Sequence, residues 1–186
     1  ALQAESPPGL FTTYAAVLPE TGVMGGYMYS AGFGAGDAWF VAPLFDADSG
    51  ELLALLDGAS MNPLKTGATG AVGVDALARE DASVLAIFGS GSQAAGQLRA
   101  TATVRDFDDV RIYSPTLEHR TAFATSMDDA IDVSVRPVDS PSAALDGADV
   151  VITATDASQP VFDGENLDPG THVTAMGQYH PDRFEL

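Results

Sequence analysis

Cysteine is absent from the 186 residues, which removes disulfides, thiolate metal sites and a cysteine nucleophile from consideration. Histidine is scarce: His119, His172 and His180 are the three present, and no two are spaced as a metal-binding pair. Lysine occurs once, at Lys65. No apolar run reaches the roughly 18 residues that a membrane-crossing helix requires, and the opening residues carry no recognisable secretory signal. A cytoplasmic protein bound neither to a membrane nor to a metal is the expectation from these absences.

Acidic side chains are abundant instead. Asp and Glu total 26 against 8 Lys and Arg, for a net charge of −18. Such a surface repels phosphate backbones, so nucleic acid is a poor partner. The acids are scattered, with no acidic tail and no cluster at the spacing of metal ligands. Scattered acids with lysine almost purged fit a salt-rich cytosol, where screening removes self-repulsion and hydrated carboxylates keep the protein in solution. A halophilic source is expected. Hydrophobic residues make up 46% of the chain, enough for a packed core, and the length allows one medium domain or one domain plus part of a second. With no methionine at its start and PDRFEL at its end, the chain is expected to be part of a longer one.

Two kinds of sequence follow one another. FTTYAAVL (11–18) and YMYSAGF (27–33) read as strands, and WFVAPLF-DADSG-ELLALLDG (39–58) reads as a hairpin around an Asp/Ser/Gly turn. The YMY run and Trp39-Phe40 are expected as core strand residues. KTGATGAVGVDALAR (65–79) changes to small residues with apolar positions at helical spacing, a thin-faced helix suited to close packing or to a ligand. Strands and helices then alternate: strand 83–89, helix 92–106, strand 109–114, helix 117–127, strand 132–138, short helix 141–148, strand 149–155 and a last strand within 166–177. Continuous apolar strands alternating with helices imply a parallel sheet covered on both faces. The predicted class is therefore α/β: β-rich residues 1–64 form part of one domain, and 65–186 form a doubly wound one.

The stretch Gly89-Ser90-Gly91-Ser92-Gln93-Ala94 ends one predicted strand and opens the next helix, in the G-x-G-x-x-A form of a dinucleotide fingerprint. The first glycine permits a tight turn, the second lets backbone approach a pyrophosphate, and the small third residue lets helix and strand pack closely. Amides at the helix start and the positive end of its dipole would face the phosphates. The same residues also describe a plain strand–helix corner; their place at the start of a βαβ unit favours the cofactor. The next strand should select between cofactors, by an acid for a ribose diol or an arginine for a 2′-phosphate. It ends in Tyr113-Ser114-Pro115-Thr116, which is neither. Ser114 and Thr116 suit either form and Arg120 lies one helical turn on, so NAD and NADP both remain open.

LLALLDGASMNPLKTGATGAVGVDALARED, SVLAIFGSGSQAAGQLRA and GADVVITATDASQPVFDGENLDPGTHVTAMGQYHPDRFEL together resemble the ornithine cyclodeaminase/mu-crystallin family, in order and in spacing, from about Ala16 to the last residue. The resemblance implies a Rossmann-type doubly wound domain beside an α/β substrate and dimerisation domain, in a homodimer. It implies an NAD(H)- or NADP(H)-dependent enzyme acting on a small amino or imino acid, as ornithine cyclodeaminases, alanine dehydrogenases and ketimine reductases do. The implied cofactor residues are Gly89, Gly91, Gln93 and Ala94 of the family's G-x-G-x-Q-A, with Ser90 and Ser92 between them. Thr66 is implied at the phosphates, and Thr153, Ala154, Thr155, Met176 and Gly177 beside the nicotinamide.

Three positions depart from the family pattern. Lys65 replaces the arginine of R-T-G/A-A, giving a point charge in place of a bidentate fork. Met28 stands where members carry a lysine, and Tyr179 stands where cyclodeaminases carry an aspartate. With a reference pKa of ~10, tyrosine does not replace a carboxylate as a base at neutral pH, so ornithine cyclisation by the family's route is not expected. The expected reaction is hydride transfer at a carbon–nitrogen bond, with Lys65 anchoring a substrate carboxylate and Tyr179 or His180 donating a proton to the imine nitrogen. A lysine at a helix start is ordinarily solvated, and a loop aromatic is ordinarily surface packing. A cofactor-binding protein of the mu-crystallin kind, catalytically silent, is the alternative.

Overall fold

A computed structural model describes residues 2–5, 8–31, 38–177 and 184–186. The chain divides into two compact units, Ala1–Asn62 and Pro63–Leu186. The division falls inside a long helix, α1 (Gly58–Leu77).

In the first unit, strands β1 (Leu2–Glu5), β2 (Pro8–Leu18), β3 (Val23–Ala31), β4 (Trp39–Asp46) and β5 (Leu52–Asp57) form an antiparallel sheet in sequential order. The expected hairpin is present, because Asp46 builds its turn. Its Oδ1 accepts the amides of Asp48 at 3.0 Å and Ser49 at 2.7 Å, and the Ser49 hydroxyl at 2.8 Å. These bonds, led by the Ser49 amide, hold the Asp46 carboxyl below its ordinary value. Tyr27 and Tyr29 share one face of β3 with Phe40, ring centroids 5.1 Å apart for Tyr29 and Phe40. Met28 points to the opposite face, paired in register with Thr13 and Val41. The expectation of a buried Trp39 is corrected: it opens β4 and is 81% exposed. A residue at a strand's end has neighbours on one side only.

The second unit is the doubly wound part. Strands β6 (Val84–Phe88), β7 (Asp109–Tyr113), β8 (Val135–Pro137), β9 (Val150–Thr153) and β10 (His172–Ala175) are all parallel, in the order β10-β9-β6-β7-β8. The first strand is central. The chain winds outward through β7 and β8, returns, and winds the other way through β9 and β10. Alternation along β6 loads both faces: Leu85 and Ile87 join Val74, Leu98, Phe123 and Met127 of helices α1, α2 (Ser92–Thr101) and α3 (Leu117–Asp128). Ala86 and Phe88 join Leu145 of α4 (Pro141–Leu145) and Phe162 on the other side. Each such fully buried aliphatic side chain contributes about 1.5–3 kcal/mol.

Element boundaries moved where side chains supply caps. Helix α1 begins at Gly58 and not at Lys65, because Asp57 Oδ1 accepts the Ala59 amide at 2.9 Å and the helix tolerates Pro63 near its start, where few hydrogen bonds are lost. Helix α2 stops at Thr101 and not at residue 106. Arg105 turns back to the end of α1, donating to the Asp75 carbonyl at 2.8 Å and its carboxylate at 2.9 Å. The strand expected over 132–138 is confined to Val135–Pro137. Among the described residues, no helix is long and apolar enough to cross a membrane.

Helices α1 and α2 touch along glycines. A side chain on Gly67 would fall on the Gly96 carbonyl, and one on Gly96 would fall on the Pro63 carbonyl. This contact accounts for Gly67, and Gly70 packs against the Gln97 side chain.

Candidate dinucleotide site

A cavity of about 850 Å³ opens at the carboxyl ends of β6, β7 and β9, at the point where the strand order reverses. Its walls are the β6–α2 turn (Gly89, Ser90, Gly91), the β7–α3 turn (Ser114, Pro115, Thr116 and the nearby His119) and the segment after β9 (Ala154 to Ala157). The apolar floor is supplied by Phe88, Tyr113 and Val161.

The two glycines of the turn are glycine for different reasons. Gly89 has φ +114, donates its amide to the Tyr113 carbonyl at 2.8 Å, and leaves no room for a side chain against the Ala154 carbonyl. The fold itself requires it. Gly91 has φ −92 and ψ −176, open to any residue, and nothing lies within 4 Å of where its side chain would stand. Neither backbone nor packing demands a glycine there.

Gly91 is also the N-cap of α2 and supplies no side-chain cap. The first-turn amides of a helix have no intrahelical acceptor, and here they adjoin the cavity at the positive end of the dipole. Ser92 and Gln93 belong to this turn, and Ala94 is fully buried against the sheet. The Gln93 amide oxygen is buried with no hydrogen-bond partner among the described residues.

Across β6 and β7, Ser90 Oγ donates to Ser114 Oγ at 3.1 Å, and Ser114 Oγ reaches the Thr116 carbonyl at 3.4 Å. Arg120, buried, organises this turn from beneath. It donates to the carbonyls of Ser114 at 2.9 Å and Pro115 at 3.4 Å, and to Asp139 Oδ1 at 2.8 Å. Its guanidinium lies 5.9 Å from the Tyr113 ring centroid. Arg120 is thus committed to the protein.

Behind the wall formed by Ala154 and Thr155 sits Glu185, 3% exposed. Its carboxylate accepts from Thr153 Oγ1 at 3.0 Å, the Thr155 amide at 2.7 Å, Thr155 Oγ1 at 2.5 Å and the Gly177 amide at 2.7 Å. Thr153 is fully buried, and the Met176 amide donates to its carbonyl at 3.1 Å.

The structure therefore brings Gly89, Ser90, Gly91, Ser114, Thr116, Ala154 and Thr155 onto one cavity. Ser92, Gln93 and Ala94 follow on α2, and Thr153, Met176 and Gly177 stand at the ends of β9 and β10. Lys65, exposed, and Thr66, half-buried, lie on α1. The Thr66 carbonyl accepts Gln97 Nε2 of α2 at 3.1 Å, and neither residue lines the cavity. Tyr179 and His180 lie outside the described residues. Sequence reasoning missed Glu185 altogether, one acid among 26 with no motif to mark it. It also missed the commitment of Arg120 to Asp139, which sequence separation hides.

A parallel sheet in this order, with a glycine turn and an uncapped helix start at its reversal point, defines the dinucleotide-binding class of doubly wound folds. The model of the ornithine cyclodeaminase/mu-crystallin family matches residues 31–186, and the chain belongs to that family. It is 37% identical over 146 residues to a Delta(1)-pyrroline-2-carboxylate reductase of Bacillus cereus, covering 78% of this chain and 45% of the relative. It is 36% identical over 143 residues to the ketimine reductase mu-crystallin of Rattus norvegicus, covering 77% and 44%. Among solved structures, the Thermococcus litoralis Delta(1)-pyrroline-2-carboxylate reductase in complex with NADH and L-proline superposes with a TM-score of 0.83 at 27% identity, over 95% of this chain and 56% of that one. The chain spans less than half the length of these curated relatives.

Proposed function

We propose that this chain carries the dinucleotide-binding part of an NAD(P)-dependent oxidoreductase that acts on a small amino or imino acid at its carbon–nitrogen bond. Gly91 is the observation that carries the reading: a glycine that neither backbone nor packing requires, at an uncapped helix start, facing a cavity at the sheet's reversal point. Gly89 to Ala94 hold the pyrophosphate, Ser114 and Thr116 hold the adenosine ribose, and Thr153 to Thr155 with Met176 and Gly177 frame the nicotinamide. When bound, the cofactor supplies the hydride; the protein orients it and excludes water. Residues 65–186 make up this part, and residues 1–64 belong to the substrate and dimerisation part. A homodimer fits the exposed leucines of β5, among them Leu52, Leu53 and Leu55.

The relatives named for reduction of pyrroline-2-carboxylate and of ketimines make a cyclic imino acid the substrate class of choice. Lys65 anchors its carboxylate as a point charge, and Tyr179 or His180 protonates the imine nitrogen. The charge of −18 with a single lysine supports a salt-rich cytoplasm as its setting.

Oxidation of NADH or NADPH by the intact protein, with pyrroline-2-carboxylate as acceptor, tests the enzyme reading. Turnover with either cofactor is expected, and Lys65→Ala should raise KM about tenfold or more with little change in kcat. Cofactor binding without turnover on any cyclic imine or 2-oxo acid plus amine would leave a silent binding protein instead.

A further inference from the structure

Glu185 is buried, and among the described residues nothing balances its charge. Four donors converge on it, yet among the described residues no cation lies within ion-pair distance. Hydrogen bonds offset the cost of burying a carboxylate, but they do not cancel its field. The carboxylate offers both oxygens as acceptors to these donors, whereas a neutral amide would turn its NH2 toward one of the two backbone amides. Gly177 is built around the group as well: a side chain there would collide with the Glu185 carboxylate and the Thr155 carbonyl.

The location gives the charge a use. In a doubly wound sheet one half of a dinucleotide lies over the first strands and the other crosses the reversal point to the far side. With the adenosine end at β7, the nicotinamide end lies over β9 and β10, whose ends Glu185 joins through Thr153, Thr155 and Gly177. Thr155 forms part of the cavity wall, and Glu185 stands directly behind it. An oxidised nicotinamide ring carries one more positive charge than the reduced ring. A fixed carboxylate in a poorly solvated place stabilises the oxidised form.

We propose that Glu185 is a positioning residue for the nicotinamide half of the cofactor, clasping the ends of β9 and β10 and biasing the site toward the oxidised ring. The proposal rests on the dinucleotide reading above. Its consequence is that the site favours release of hydride from a reduced cofactor.

Glu185→Gln keeps the shape, removes the charge and turns a donor NH2 toward one of the two backbone amides. Two measurements are made on wild type and variant: amide hydrogen exchange at Thr155 and Gly177 without ligand, and dissociation constants for the oxidised and reduced forms of whichever cofactor wild type binds. Exchange at both amides should rise, and the affinity for the oxidised form should fall about tenfold more than that for the reduced form. Glu185→Asp retains charge on a shorter arm. It should loosen both amides and weaken both forms together, leaving their ratio close to wild type. If the Gln variant does not fold, the Asp variant tests the clasp, and unchanged exchange at Thr155 and Gly177 there overturns the proposal. Unchanged exchange in Glu185→Gln, or an unchanged ratio of the two affinities, overturns the proposal while leaving the dinucleotide reading intact. Failure of wild type to bind either cofactor overturns that reading, and the proposal with it.

Discussion

Gly89 and Gly91 stand two positions apart and answer to different forces. At Gly89 the backbone is left-handed, at φ +114, and the Ala154 carbonyl occupies the space of a side chain. Gly89→Ala is therefore expected to cost about 1–3 kcal/mol from backbone strain alone, read as a lower midpoint of chemical denaturation at unchanged slope. The fingerprint as a string of letters does not separate this structural glycine from the one left open to the cavity; torsion angles do. Arg120 teaches the same lesson. Its position near the ribose end reads as a phosphate contact, but a bond to Asp139, 19 residues on, and two carbonyls of its own turn engage it. Lys65 could be singled out from sequence because lysine is otherwise absent. Glu185 could not, because acids are everywhere.

Elements were legible to the degree that periodicity defined them. The apolar runs VLAIF and VVIT gave β6 and β9 within a residue or two, since a strand buried on both faces has no polar alternation to confuse it, and the alternating DVRIY gave β7. Parallel order followed from the alternation of strands with helices, whereas the point of reversal is visible only in the strand order of the structure. Ends were less legible because they depend on single side chains: Asp57 starts α1 seven residues before Lys65, and Arg105 folds back where α2 was expected to continue. The glycines of α1 show how packing sets the sign of a substitution. Gly96→Ala on α2 would press into the Pro63 carbonyl and should destabilise by about 1–3 kcal/mol despite better helix propensity. Gly73→Ala on α1 meets nothing within 4 Å and should stabilise by about 0.5–1 kcal/mol. Thermal unfolding of the two variants checks the contrast; equal signs would mean that α1 and α2 do not touch as described.

For the whole molecule, charge and cofactor site set the terms. A net charge of −18 produces self-repulsion that salt screens, with a Debye length falling from about 10 Å at 0.1 M to about 3 Å at 1 M. The unfolding temperature is expected to climb steadily with NaCl or KCl over that range; a flat profile would contradict the proposed salt-rich setting. A dinucleotide is proposed to enter the cavity at the sheet's reversal point across Gly91. The most direct measurement is a fluorescence titration of NADH and NADPH against wild type and Gly91→Val. That variant introduces a branched side chain into open space, at a backbone conformation that valine adopts freely. Wild type is expected to bind at least one cofactor and the variant to bind it about 100-fold or more weakly, with stability changed by no more than about 1 kcal/mol. Equal affinity in the two proteins would contradict that proposal.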